Sequence, residues 1–163
     1  MDLTEASAVI TGGASGIGEA SARKLSALGA RCVIVDLQDD KGEAVAKELG
    51  GLYVKADVAN EEQVQAAMDA AMEMGPLRAL VNGAGIGSAS RTVDRNGEPM
   101  PLAQFEFVIR VNLIGTFNCT RLGAATMAKT EPIDDDGQRG AIVNMASVAA
   151  FDGQTGQNAY SAS

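Results

Sequence analysis

The chain has 163 residues, enough for one domain with a sizeable core; 46% are hydrophobic, only 4% are aromatic and none is Trp. A formal charge of -8 with no basic stripe argues against a nucleic-acid partner, whose phosphates demand clustered Lys and Arg. Histidine is absent, which removes Ser-His-Asp and Cys-His catalysis and the HExxH zinc motif, and leaves Tyr, Lys, Asp and Glu for any proton chemistry.

An apolar run at Ala8 to Ile10 leads into TGGASGIG, and the EASARKLSALG that follows reads as a helix ending at Gly29. RCVIVD is a continuous strand of the kind buried on both faces. Asp40 with Glu43 three residues on predicts the start of a second helix, which runs to Gly50 and Gly51. LYVKADV is a third strand, and Asn60 with Gln63 forms another capping box. Val64, Ala67, Met68, Ala71 and Met72 then recur at helical spacing, which predicts both methionines in the core. LRALVNGAG is a fourth strand, followed by a loop marked by Asn96-Gly97 and two prolines. A long helix is expected from Leu102 to Lys129, with Phe105, Val108, Ile109, Asn112 and Leu113 on or near one face. TEPIDDDGQRG reads as an acidic surface turn and AIVNMAS as the fifth strand.

Strands alternating with helices, without internal repeats or a linker, predict a single α/β domain over residues 1–163. Its sheet is parallel and doubly wound, with helices on both faces. Cys32 and Cys119 stand far apart in apolar surroundings with no CxxC spacing, and read as reduced structural thiols. The opening MDLTEASAVI lacks the basic and apolar regions of a secretory signal, and no apolar run approaches the ~18 residues of a membrane span, so a cytoplasmic location is expected.

In a doubly wound sheet, ligands sit beyond the carboxyl ends of the strands. There the chain places Gly12, Gly16 and Gly18, which allow backbone N–H groups and a helix N-terminus to approach a phosphate. Asp36 ends the second strand, 20 residues beyond Gly16, where a carboxylate would accept from ribose hydroxyls. A carboxylate there repels a 2′-phosphate, and neither Ser15 nor Leu37 offers a basic partner, so the expected cofactor is NAD rather than NADP. The overlapping glycine triplet Gly83, Gly85 and Gly87 is taken as a decoy.

Through TGGASGIG, NGAG at Asn82 to Gly85, Asn112, Ser147 and Tyr160, the chain resembles the short-chain dehydrogenase/reductase family. The resemblance runs from Thr11 to the last residue, with Gly83 where the family more often has a second Asn. It implies a Rossmann-type fold in which Gly12, Ser15, Gly16, Ile17 and Gly18 hold the pyrophosphate and Asp36 holds the adenosine ribose. Asp57 and Val58 would then contact adenine, and Asn82, Gly83, Ala84 and Gly85 would line the cofactor. It further implies that Tyr160 exchanges a proton with the substrate oxygen and contacts the cofactor, that Ser147 hydrogen-bonds that oxygen, and that Asn112 supports a proton-relay water. Proton exchange of this kind suits hydride transfer at a carbinol carbon.

The family motif places a lysine four residues after Tyr160, one position beyond Ser163. The chain is therefore expected to be C-terminally incomplete, without the family's last strands and helices, and inactive as it stands. A sheet ending at its fifth strand would leave an edge and a face uncovered. TEPIDDDGQRGAIVN and ASVAAFDGQTGQNAYSAS look like the 3-hydroxyacyl-CoA dehydrogenase branch of that family. That likeness implies NAD-linked oxidation of an acyl-CoA substrate, Gln154 near the substrate, and a homo-oligomer, tetrameric at full length. Two readings stay open beside it: an NAD-linked enzyme for another secondary alcohol or a hydroxysteroid, and a non-catalytic dinucleotide-binding fragment.

Overall fold

The computed structural model describes every residue from Met1 to Ser163. Five parallel strands, β1 (Ser7–Thr11), β2 (Arg31–Asp36), β3 (Leu52–Lys55), β4 (Leu77–Asn82) and β5 (Ala141–Asn144), form one sheet in the order β3-β2-β1-β4-β5. The helices are α1 (Gly16–Ala27), α2 (Asp39–Leu49), α3 (Glu61–Met74), α4 (Leu102–Ile109), α5 (Thr116–Ala128), α6 (Ala149–Asp152) and α7 (Asn158–Ser161). The chain moves outward from β1 to β3 and returns to β4 on the far side of β1. The switch point for a ligand therefore lies between β1 and β4.

The central strands are apolar at nearly every position because both of their faces are covered. Alternate side chains feed two layers. Val9, Val33, Val35 and Leu80 pack with Val64 and Met68 of α3 and with Cys119 and Leu122 of α5. Ala8, Ile10, Cys32, Ile34, Ala79 and Val81 pack with Ala22 of α1 and with Val45 and Ala46 of α2. The two free thiols are thus buried on opposite sides of the sheet. β5 is far less covered: Val143, Met145 and Val148 are exposed, and Phe151 is 89% exposed. No helix is long and apolar enough to cross a membrane.

Arg78 on β4 is a buried cation with no carboxylate in reach. Its guanidinium donates to Thr130 Oγ1 at 2.7 Å, the Arg139 carbonyl at 2.6 Å and the Glu131 carbonyl at 2.9 Å. It therefore clasps the acidic turn against the C-terminal end of α5, where a helix favours positive charge.

Three sequence expectations change. α2 starts one residue before Asp40, and its N-cap position is Gln38, without a side-chain cap. The Asp36 carboxylate supplies the turn instead, accepting from the Leu37 and Gln38 N–H groups at 2.8 and 3.1 Å. Met68 is fully buried but Met72 is 38% exposed, because it falls at the edge of the buried stripe Val64, Ala67, Met68 and Ala71. The long helix expected over 102–129 is interrupted by a π-helical turn at Arg110–Gly115, which leaves Leu113 exposed. Gly115 in that turn packs directly on the Val58 side chain, where a Cβ would collide.

The Asn60 cap is made as expected: its Oδ1 accepts from the Gln63 N–H at 3.0 Å. Gln63 does not close the box on Asn60; its Oε1 accepts from the Asp57 N–H at 2.7 Å. Asn60→Ala is expected to lower stability by ~1 kcal/mol in urea unfolding, and Asn60→Gly by only a few tenths. Equal losses from the two would argue against the capping bond.

Candidate functional site

β1 ends in a turn whose geometry only glycine permits. Gly12 has φ +66°, and a Cβ there would lie 2.7 Å from the Gly83 carbonyl oxygen and 2.8 Å from the Ala84 nitrogen. A Cβ on Gly18, in the first turn of α1, would run into the Gly12 carbonyl. At Gly83 a Cβ would sit 2.9 Å from the Thr11 carbonyl oxygen. The glycine at this position thus follows from close packing, and an asparagine would require the β1 backbone to move. The Thr11 carbonyl accepts from the Gly83 N–H at 3.1 Å, and Thr11 Oγ1 accepts from the Ala84 N–H at 3.2 Å.

Ser15 is the N-cap residue of α1 but makes no side-chain cap, so the N–H groups of Gly16, Ile17 and Gly18 have no helical acceptor. They point where a helix N-terminus attracts an anion. Asp36 faces this turn from the end of β2, its Oδ2 accepting from the Ala14 N–H at 3.1 Å. The Asp36 carboxylate therefore ties β2 to the glycine turn and keeps acceptor capacity for a ligand hydroxyl.

These groups line one cavity of about 560 Å³, within the range of ligand sites. Of the residues expected to hold a cofactor, Gly12, Ser15, Gly16, Ile17, Gly18, Asp36, Asp57, Val58, Gly83, Ala84 and Gly85 all line it. Asn82 does not. It is buried beneath the cavity, its Nδ2 donating to Thr120 Oγ1 at 3.0 Å and Asn144 Oδ1 at 2.7 Å, and so it braces β4 against α5 and β5. Sequence reading missed Gln38, Ile86, Phe107, Arg110 and Val111, which also line the cavity. Gln38 and Ile86 closely follow strand ends and could have been found on that ground. Phe107, Arg110 and Val111 share helical spacing, but their own sequence does not say which side of the helix meets the sheet.

The residues nominated for proton chemistry lie off this cavity. Asn112 is in the π-helical turn, with Oδ1 accepting from the Ile86 N–H at 2.8 Å and Nδ2 donating to the Ile86 carbonyl and Ser163 Oγ, each at 3.0 Å. Its side chain is thus committed to fastening the wall after β4 to the end of α7, rather than standing free. Tyr160 on α7 is half-buried and its hydroxyl is unbonded; Ser147 Oγ accepts from the Ala149 N–H at 3.2 Å. No hydrogen bond joins Ser147 to Tyr160, and Gln154 is exposed in the turn between α6 and α7. The thiols contribute no nucleophile: burial pushes Cys32 up to about 11 and Cys119 up to about 12, so both stay protonated at neutral pH.

The residues present suit a dinucleotide in kind: an open helix terminus is chemistry for a phosphate, a strand-end carboxylate is chemistry for sugar hydroxyls, and the glycines put no side chain between them. Gly18→Ala is expected to destabilise the fold by about 1–3 kcal/mol and to weaken NADH binding at least about tenfold, since the collision is with backbone. Gly87→Ala, whose Cβ would meet open space, should change neither. Thermal melting and fluorescence titration of both variants check this; a loss of binding in Gly87→Ala would mean that the second glycine triplet is no decoy.

Residues 6–163 match the family model for short chain dehydrogenase. Over 160 residues, 96% of this chain, the chain is 50% identical to the 3-hydroxyacyl-CoA dehydrogenase type-2 of Rattus norvegicus and 51% identical to that of Homo sapiens. The match covers only 61% of each of those relatives, so this chain spans about three-fifths of their length. The solved structure of 3-hydroxyacyl-CoA dehydrogenase type-2 from Mycobacterium avium superposes with a TM-score of 0.93 at 43% identity, covering 99% of this chain and 65% of that one.

Proposed function

The chain belongs to the short-chain dehydrogenase family, and from that premise we propose that it is the dinucleotide-binding part of an NAD-linked enzyme interconverting 3-hydroxyacyl-CoA and 3-ketoacyl-CoA. The observation that carries the cofactor reading is Asp36, a carboxylate fixed at the end of β2 beside the glycine turn, in a cavity whose one basic side chain, Arg110, is already paired with Asp57. The names of the relatives at about half identity support the substrate class.

A bound nicotinamide dinucleotide would supply the hydride acceptor or donor that no side chain can provide. The chain's own residues bind, orient and handle the proton. The N–H groups of Gly16, Ile17 and Gly18 receive the pyrophosphate, Asp36 accepts from the ribose hydroxyls, and Asp57 with Val58 meets the adenine. Tyr160, its hydroxyl unbonded, exchanges a proton with the substrate oxygen, while Ser147 hydrogen-bonds that oxygen and stabilises developing charge. Asn112 acts at one remove, holding the Ile86 wall and the end of α7 in register. Gln154 lies on the substrate side. Exposed Leu102, Ile114 and Phe117 on the α4 to α5 side support assembly into a homo-oligomer.

The test is turnover of acetoacetyl-CoA with NADH by the full-length protein. Oxidation of NADH is the expected result, with NADH preferred over NADPH and Asp36→Ala narrowing that preference by about tenfold, ~1.4 kcal/mol. Turnover of a hydroxysteroid or simple secondary alcohol but not acetoacetyl-CoA would overturn the substrate class. Equal affinity for the two cofactors in the unaltered protein would overturn the role of Asp36.

A further inference from the structure

Arg110 is the one basic residue lining the cavity, and it stands at the first position of the π-helical turn. Its Nη2 donates to Asp57 Oδ2 at 2.7 Å. Asp57 is held at two further atoms: its N–H donates to Gln63 Oε1 at 2.7 Å, and its Oδ1 accepts from the Ala59 N–H at 2.9 Å. Groups from α3, from the turn after β3 and from the π-helical turn thus converge on one residue of the cavity wall. An ionised carboxylate offers about four acceptor sites, and these contacts use two of them, so the remainder can serve a ligand donor.

The charge balance points the same way. Asp36 and Asp57 are the acidic residues of the lining, and both would oppose a ligand that carries two phosphates. Pairing with Arg110 offsets one of these charges without removing the acceptor. Burial works against the charged form of Asp57, but the Ala59 N–H and the Arg110 guanidinium outweigh it and hold the carboxyl below its usual range. As a source of fold stability such a half-exposed pair is worth little. Its consequence is geometric.

Resting on the reading of Asp57 and Val58 as the adenine subsite, we propose that Arg110 is a positioning residue for base recognition. It fixes the Asp57 carboxylate as the acceptor for the 6-amino group of adenine and so makes the site selective for that base. A site built to hydrogen-bond an amino group disfavours an analogue that lacks it, because the partly exposed carboxylate then faces the acceptor oxygen of the 6-oxo group instead of a donor. The contact runs through a single guanidinium nitrogen, so a lysine ammonium can replace it in part.

The experiment compares the dissociation constants of NADH and its 6-oxo analogue, reduced nicotinamide hypoxanthine dinucleotide, for the full-length protein and the variants Arg110→Ala, Arg110→Lys and Asp57→Ala. The unaltered protein is expected to prefer NADH by about tenfold or more. Arg110→Ala should narrow that preference at least about threefold, chiefly by weakening NADH, and Arg110→Lys should recover part of it. Asp57→Ala should lose the preference altogether. If Arg110→Ala weakens both dinucleotides equally, or keeps the full preference, the positioning role is overturned while the adenine subsite stands. If the unaltered protein and Asp57→Ala treat the two bases alike, the adenine reading of Asp57 fails and the Arg110 proposal fails with it. Arg110 is half-exposed, and circular dichroism of Arg110→Ala is expected to match that of the unaltered protein; a loss of fold on removing so exposed a side chain would itself overturn the positioning role in favour of a structural one.

Discussion

Backbone meets backbone at the ends of β1 and β4 with no side chain between them. Gly12, Gly18 and Gly83 approach one another so closely that a Cβ on any of them would strike a main-chain atom. Because peptide groups cannot be compressed, this contact sets how near α1 starts to the sheet. It sets the direction of the unbonded N–H groups and the depth of the cavity between the two strands. Glycine is conformationally costly in an ordered segment. Here that cost is offset by the apolar layers on either side, which hold β1 between β2 and β4 with a single register shift against β4 between Ser7 and Ala8.

The polar groups around the cavity are fixed from the same frame. Asp36 is not a free carboxylate at a strand end: it bonds both forward into the start of α2 and sideways into the glycine turn. Asn82 works below the cavity, and Asn112 works beside it. The wall is thus built by short side chains that bridge separate elements. A cavity braced in this way changes shape only if several elements move together, which is the condition for a pre-organised site.

Much of this was legible in the sequence, and the reasons are physical. The central strands could be read because their middles, such as CVIV in β2 and ALV in β4, are apolar runs covered on both faces, while β3 and β5 were found from their place in the alternation with helices. The glycine turn and Asp36 could be read because φ above zero and a strand-end carboxylate leave a mark at fixed spacing. The start of α2 was misread because Asp40 matched a capping pattern while Asp36, further upstream, supplied the bond. Met72 has the spacing of a core residue yet lies just outside the buried stripe, a distinction that depends on how α3 is rotated against β1 and β2. Arg110 left no signal for a similar reason. Its role depends on a widened helical turn and on the placing of Asp57, and neither is a property of the residues around it.

The Arg78 clasp differs in kind from the ion pairs on the surface. Arg23 with Glu19 and Glu48, Lys55 with Asp39, and Arg121 with Glu61 each depend on a carboxylate that acid neutralises. Arg78 is bound by carbonyl oxygens and one hydroxyl, and its guanidinium does not discharge in proteins. None of its partners has a proton to gain in the range where carboxylates discharge. The junction between β4, the end of α5 and the turn before β5 is therefore fastened by a buried charge that acid cannot switch off, whereas every ion pair of the surface carries an acid-labile partner.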